Sequence, residues 1–238
     1  MPKSPTSTGE YLPPGRRSSP NAEKPVTPRN LKAAATRERI ISAAAAAFDE
    51  RGYLGVNLRE VVQDLGLTTG ALYYFFKTKE DLAVEIVERH FAGWDDLVTQ
   101  VVADSPSRLD ALVHVTYRVA DAFTNDLVVR AGARLSAERE VIGAELHKPY
   151  VDWTDRIASL LDDAKDAGEV RSDLDVRATA ETVIATFFGA QAIVRTLGDP
   201  AGLRRCLDTF WELVLPSLRV TTPRPAGRPK ARATAGKR

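Results

Sequence analysis

Three residues suited to capping helices, Asn57, Thr68 and Thr78, follow one another within a short stretch. A capping side chain satisfies a backbone N–H that the first helical turn leaves without a partner, so such residues mark helix starts. Glu60 and Asp81 each stand three residues further on, as the reciprocal partner in a capping box would. Leu58, Val61, Val62 and Leu65 fall at i, i+3, i+4 and i+7, and Gly66 stops them; Leu72 and Phe76 then lie one turn apart. So punctuated, the chain folds here into two short helices joined by a tight turn. The Thr78 cap opens a longer helix that the pattern carries to about residue 102.

Helical periodicity continues on both sides. Ile40, Ala44 and Phe48 make one stripe over 36–51, closed by Gly52. Further helices are expected from Pro106-Ser107 onward, over 127–137, after Pro149, over 176–196, and over 201–215 before Pro216. No strand or hairpin pattern competes, so the expected fold class is all-α with about nine helices. No apolar run is long enough to span a membrane. One cysteine, Cys206, permits no internal disulfide, which fits a cytoplasmic protein. Residues 1–30 hold seven prolines and few large apolar groups, so an extended, unpacked tail is expected. The net charge of +1 divides into +4 over 1–35, +7 over 219–238 and therefore −10 between them. Two basic tails flank an acidic body, and basic tails commonly meet polyanions or simply keep a chain soluble.

Short helix, turn, short helix is the helix-turn-helix arrangement, whose second helix enters the major groove. The stretch GLTTGALYYFFKTK suits that role. It offers hydroxyls at Thr68 and Thr69, phenols at Tyr73 and Tyr74, and ammonium groups at Lys77 and Lys79, with no carboxylate to oppose them. Gly70 removes a side chain where backbone approaches the duplex, and Lys79 opens a helix whose N–H groups suit a phosphate. Leu72 and Phe76 should face the core. The plainer alternative is a helical hairpin in which all four rings from Tyr73 to Phe76 are core.

The run from Thr36 to Leu82, carried by TRERIISAAAAAFDERGY and LREVVQDLGLTTGALYYFFKTKEDL, resembles the DNA-binding domain of TetR-family transcriptional regulators. The resemblance implies an N-terminal three-helix domain at 34–80 and a ligand-binding, dimerising bundle at 81–219, between tails at 1–33 and 220–238. Phe75 and Thr69 stand where the family usually carries polar or basic residues, so operator preference does not transfer. The segments RAGARL, PYVDW, LLDDAKDAGE and FFGAQ resemble the γ-butyrolactone receptor branch, nearest to receptors of furan-type autoregulators in antibiotic-producing actinomycetes. That implies a dimeric repressor on pseudo-palindromic double-stranded DNA, released by a lactone, butenolide or furan effector and controlling antibiotic or secondary-metabolite genes. It also implies pocket positions at His90, Phe91, Ser136, Tyr150 and Trp153, with Trp153 packed on the lactone ring. Furan-acid receptors tend to carry Tyr and Gln where this chain has Phe91 and Ser136, which leaves a neutral lactone or butenolide open.

Read from the residues alone, Trp153 and His90 lie on apolar helix faces and suit core packing equally well. Gln191 continues an apolar stripe with Phe187, so its amide needs a partner, another helix or a ligand, and Phe187 and Gln191 join the candidate ligand contacts. Phe187, Phe188, Phe210 and Trp211 give the last two helices wide apolar faces suited to dimerisation. No catalytic constellation, cofactor motif or metal-ligand spacing is present; His90, His114 and His147 fall on separate elements. A pseudo-receptor answering to antibiotics, or a ligand-independent DNA-organising module, remain the competing readings.

Overall fold

The computed structural model describes residues 27–146, 150–199 and 201–220. The tail expectations for 1–26 and 221–238, and for His147, fall outside them. Residues 28–36 form the opening of helix α1 (Pro28–Arg51), and the chain from Arg37 onward is a second compact unit. Residues 28–33 are therefore helical rather than part of a tail. Thr27 Oγ1 accepts from the Asn30 N–H, and Pro28 sits at the first helical position, where its missing N–H costs nothing.

Two short helices follow, α2 (Leu58–Asp64) and α3 (Thr69–Phe75), then α4 (Lys79–Ala92). All three caps form: Asn57 accepts from the Arg59 N–H, Thr68 from Ala71, and Thr78 with Asp81 makes a reciprocal box. Glu60 meets the Asn57 side-chain amide rather than its backbone. Ile40, Ile41, Phe48, Val62, Leu72, Leu82 and Ile86 are buried together as one core, and Ala131 and Leu135 from far along the chain join it.

The expected long helix from Lys79 ends at Ala92. Gly93 intervenes, and α5 (Trp94–Asp104) continues. The halves serve different partners. Helix α4 packs on α7 (Leu127–Ala137), whereas α5 packs on α6 (Arg108–Asn125), and one straight helix does not follow both. After the short α8 (Arg139–Ile142) come α9 (Val151–Asp166), α10 (Val176–Leu197) and α11 (Gly202–Leu218). Helix α9 packs against α6 and α10, and α11 against α6 and α10. Helix α11 does not stop before Pro216. Its last turn is held by buried Leu218, whose carbonyl accepts from the Arg171 N–H, and by a bridge between Val170 and Arg219. Eleven helices and no multi-residue strand occur among the described residues.

The aromatic faces of α10 and α11 turn inward. Phe187 and Trp211 are buried, the Trp211 indole N–H donates to Thr116 Oγ1, and Phe188 and Phe210 pack on the bundle core. The exposed apolar groups on these helices are Ile193, Leu197 and Leu213 instead.

Helix α4 is bound to α1 by charge as well as packing. Arg89 donates both terminal nitrogens to Glu38, at 2.6 and 2.7 Å, and its Nε to Glu85 at 2.8 Å; Arg37 also pairs with Glu85. The hydrogen bond from Arg37 holds the Glu85 carboxyl below its ordinary value of 4.5. A depressed carboxyl pKa contributes stability that is present above the ordinary value and lost as pH falls through the folded one. Glu85→Gln should therefore lower stability by about 1 kcal/mol at neutral pH, after allowance for partial solvent screening. The gap to wild type should close in thermal melts taken below pH 4.5. A gap that persists there would show that Glu85 acts through packing.

Candidate functional site

Helix α3 presents two faces, as its residue pattern requires. Leu72 and Phe76 are buried, Tyr73 and Tyr74 are exposed, and Phe75 is half-buried with its ring edge-on to Tyr74. Thr68 and Gly70 are exposed and Thr69 is half-buried. A Cβ on Gly70 would meet only Thr68 Oγ1, at an ordinary 3.7 Å, so packing within the protein does not demand this glycine. Lys77 is exposed and donates to the Tyr73 carbonyl at 3.1 Å.

Lys79 departs from its expected role. Its ammonium donates to the Val56 carbonyl at 2.6 Å and lies 4.6 Å over the Tyr53 ring. It is half-buried, and that burial lowers its pKa. The side chain ties the start of α4 to the loop before α2, so it positions these helices rather than projecting from them. Beside it runs a cleft of about 340 Å³ lined by Val56, Asn57, Arg59, Tyr73, Lys77 and Thr78 among others. Asn57 and Arg59 went unrecognised as candidates for this face. The signal in the sequence was a cation in the first turn of α2, where the helix dipole disfavours it unless an anion arrives from outside.

A second site lies in the bundle. A cavity of about 270 Å³ gathers His90 and Phe91 from α4, Ser136 from α7, Tyr150 and Trp153 at the start of α9, and Gln191 from α10. These six were expected pocket residues. The seventh, Phe187, is not among its walls; it borders a small apolar void of about 20 Å³ with Val115, Ile157 and Val183. Phe188 takes its place, because Phe188, Gln191, Ala192 and Arg195 share one face at i, i+3, i+4 and i+7. Arg134, Glu138 and Arg195 also line the cavity and carry its charge. A neighbouring cavity of about 410 Å³, bordered by Asp49 and Arg130, shares Gln191 and Arg195.

Several walls are set by packing. Trp153 is buried edge-on to Trp94 at 5.3 Å. His90 is buried with ring contacts to Phe91, Trp94 and Phe123. Ser136 Oγ donates to the Gly132 carbonyl at 2.8 Å. The half-buried Gln191 amide has no hydrogen-bond partner among the described residues, and neither has the buried Trp94 indole N–H. Tyr150 has φ 77° and ψ −31°, a left-handed conformation that costs an L-residue about 1–2 kcal/mol. Its carbonyl accepts from both the N–H and the hydroxyl of Thr154, and its ring packs 4.7 Å from Phe188. Among the described residues no cluster of metal-ligating side chains occurs, and no helix is long and apolar enough to cross a membrane.

Two capped short helices that turn two phenols outward, with the exposed Lys77 after them, joined to a helical bundle with an internal cavity, define the architecture of a DNA-binding regulator. Residues 40–86 match the model of bacterial regulatory proteins of the tetR family, and residues 106–220 match the tetracyclin repressor-like C-terminal domain. The A-factor receptor protein of Streptomyces griseus is 30% identical over 190 residues, which span 80% of this chain and 66%, just under two thirds, of that receptor. The solved structure of an ArpA-like γ-butyrolactone receptor is 32% identical, with a TM-score of 0.69, covering 79% of this chain and 90% of that one. CprB from Streptomyces coelicolor, solved with its biological operator sequence, is 33% identical, with a TM-score of 0.68 and coverages of 79% and 90%. The chain belongs to the TetR family of bacterial transcriptional regulators.

The different placements of Lys77 and Lys79 separate an exposed candidate for DNA contact from a scaffold residue. Lys77→Ala should weaken binding to all DNA sequences alike, lower the salt slope by about one unit and leave the melting temperature unchanged. Lys79→Met should lower both operator affinity and melting temperature, since it removes the tie to Val56. Anisotropy titrations across salt concentrations, paired with thermal melts, check both. An altered base preference in Lys77→Ala with an unchanged salt slope would contradict the phosphate role.

Proposed function

We propose that this chain is an effector-released transcriptional repressor in the cytoplasm and not an enzyme. It binds a pseudo-palindromic operator in double-stranded DNA as a homodimer. A γ-butyrolactone, butenolide or furan-type molecule in the bundle cavity releases it and so induces antibiotic or secondary-metabolite genes. The observation that carries this reading is the cavity itself. It brings together six side chains from four separated segments, and one wall is α4, the helix that begins beside the DNA-facing cleft. The similarity to γ-butyrolactone receptors and to an operator-bound regulator supports it.

Thr68, Thr69 and Gly70 lie nearest the base edges in this reading, with Tyr73, Tyr74 and Lys77 on phosphates. The exposed apolar groups Ile193, Leu197 and Leu213 on α10 and α11 supply the dimer face. Two-fold symmetry then sets the recognition helices about one DNA turn, ~34 Å, apart or more. In the cavity Trp153 and Phe188 supply apolar walls for a ring, while Gln191 and Tyr150 offer hydrogen bonds. The effector shifts the equilibrium only by its difference in affinity for the two forms, and about 1.4 kcal/mol lowers operator affinity tenfold.

Trp153→Phe should bind operator like wild type and need at least about tenfold more effector for release. Trp153→Ala should bind operator and resist release altogether. Bandshifts with a synthetic γ-butyrolactone and with extract of the producing culture read both. Loss of DNA binding in Trp153→Phe would mark Trp153 as core only, and wild-type release in both variants would place the pocket elsewhere.

A further inference from the structure

The turn that closes α1 is gripped by a pair of side chains from the cavity wall. Arg134 donates Nη1 to the Asp49 carbonyl at 2.6 Å and Nε to Glu138 at 3.0 Å. The other Glu138 oxygen accepts from the Tyr53 N–H at 2.6 Å. Gly52, between them, has φ +73°, and a Cβ there would come within 2.7 Å of Arg134 Nη2 and of Glu138 Oε1. The glycine thus supplies both the left-handed turn and the space that the ion pair enters. One residue pair faces two ways: towards the cavity, and onto the backbone of the DNA-binding domain.

The contacts continue to the DNA side. The Tyr53 ring stacks on Phe48 at 6.0 Å and carries the Lys79 ammonium on its face. Lys79 holds the Val56 carbonyl, and both residues border the cleft beside α3. Cavity and cleft are therefore joined through Arg134–Glu138, Gly52–Tyr53 and Lys79–Val56. Arg134 and Arg195 outnumber Glu138 among the charged cavity walls, so the cavity favours an oxygen acceptor on its occupant.

We propose that Arg134 and Glu138 form a latch that the effector opens: an acceptor oxygen on the effector takes the Arg134 guanidinium from Asp49 and Glu138, which leaves Glu138 unanchored and loosens its grip on the Gly52–Tyr53 turn. The recognised chemistry is a carbonyl or carboxylate oxygen, and the residue that reads it is also the one that releases the DNA-binding domain. This effector-recognition step rests on the receptor reading given above; the latch contacts themselves do not.

The test uses the full chain and amide hydrogen exchange over residues 49–56. Glu138→Gln keeps the shape and weakens the grip without any effector. Exchange in that segment should rise about tenfold, and operator affinity should fall by a similar factor, while the rest of the bundle exchanges as in wild type. Uniformly faster exchange, or wild-type operator affinity, would overturn the latch. Sodium 4-hydroxybutyrate and γ-butyrolactone at millimolar concentration then probe recognition as a matched carboxylate and neutral carbonyl. At least one should raise exchange in 49–56 of wild type, whereas Arg134→Met should exchange fast there without any compound and gain nothing further from either. A response to the carboxylate alone assigns a charged effector, and a response to the lactone assigns a neutral one. No response to either, or a response that survives in Arg134→Met, would overturn Arg134 as the reading residue. A latch that opens in Glu138→Gln, with no effector ever releasing operator, would contradict the receptor reading and not the latch.

Discussion

The structure depends on how closely α4 and α7 cross at Gly132. A Cβ on that glycine would overlap Cβ of His90 and crowd the Ile86 carbonyl, so the two helices meet backbone against side-chain stem. Everything that joins the DNA-facing elements to the bundle is arranged around this contact. Ala131 and Leu135 of α7 belong to the core built by α1 to α4, and His90 of α4 borders the bundle cavity. Packed interiors shift between discrete arrangements rather than deforming continuously, so a crossing this tight passes displacement from one side to the other.

Two sets of polar contacts fix what moves with what. The Arg89, Glu38, Glu85 and Arg37 cluster ties α4 to α1, so α4 belongs mechanically to the DNA-binding elements although its far end lines the cavity. Arg130 pairs with the Asp49 carboxylate at 2.8 Å, and Arg134 and Glu138 hold the turn that follows. Gly93 ends the rigid part, since beyond it α5 packs on α6 rather than α7. The element free to act as a lever is thus the fourteen residues of α4 rather than a longer helix reaching to about 102.

Much of the DNA-facing part was legible because its signals are local. Caps at Asn57, Thr68 and Thr78 need only their own helices, and the one-turn spacing of Leu72 and Phe76 decides which rings of YYFF turn inward. The departures arise where distant residues decide. Lys79 resembles a free cation until Val56 and Tyr53 are brought beneath it. Phe187 and Phe188 are neighbours in sequence, and it is Phe188 that shares a helical face with Gln191, Ala192 and Arg195 and lines the cavity with them. Pro216 reads as a helix stop, yet Leu218 and the Val170–Arg219 bridge carry the turn past it. Arg134 shares α7 with Arg130, and nothing nearby in sequence discloses that it reaches the Asp49 carbonyl.

If α4 carries the DNA-binding elements as one body over the Gly132 crossing, effector binding must change the separation of the two α3 helices in the dimer. Spin labels at the exposed Asp64→Cys on α2, which packs on α3, with Cys206→Ser to remove the exposed native thiol, report that separation by double electron–electron resonance. The account predicts one narrow distance in the free dimer, unchanged on operator, and a distinct second distance at effector concentrations that empty the operator. Release of operator with the inter-helix distance unchanged would contradict it.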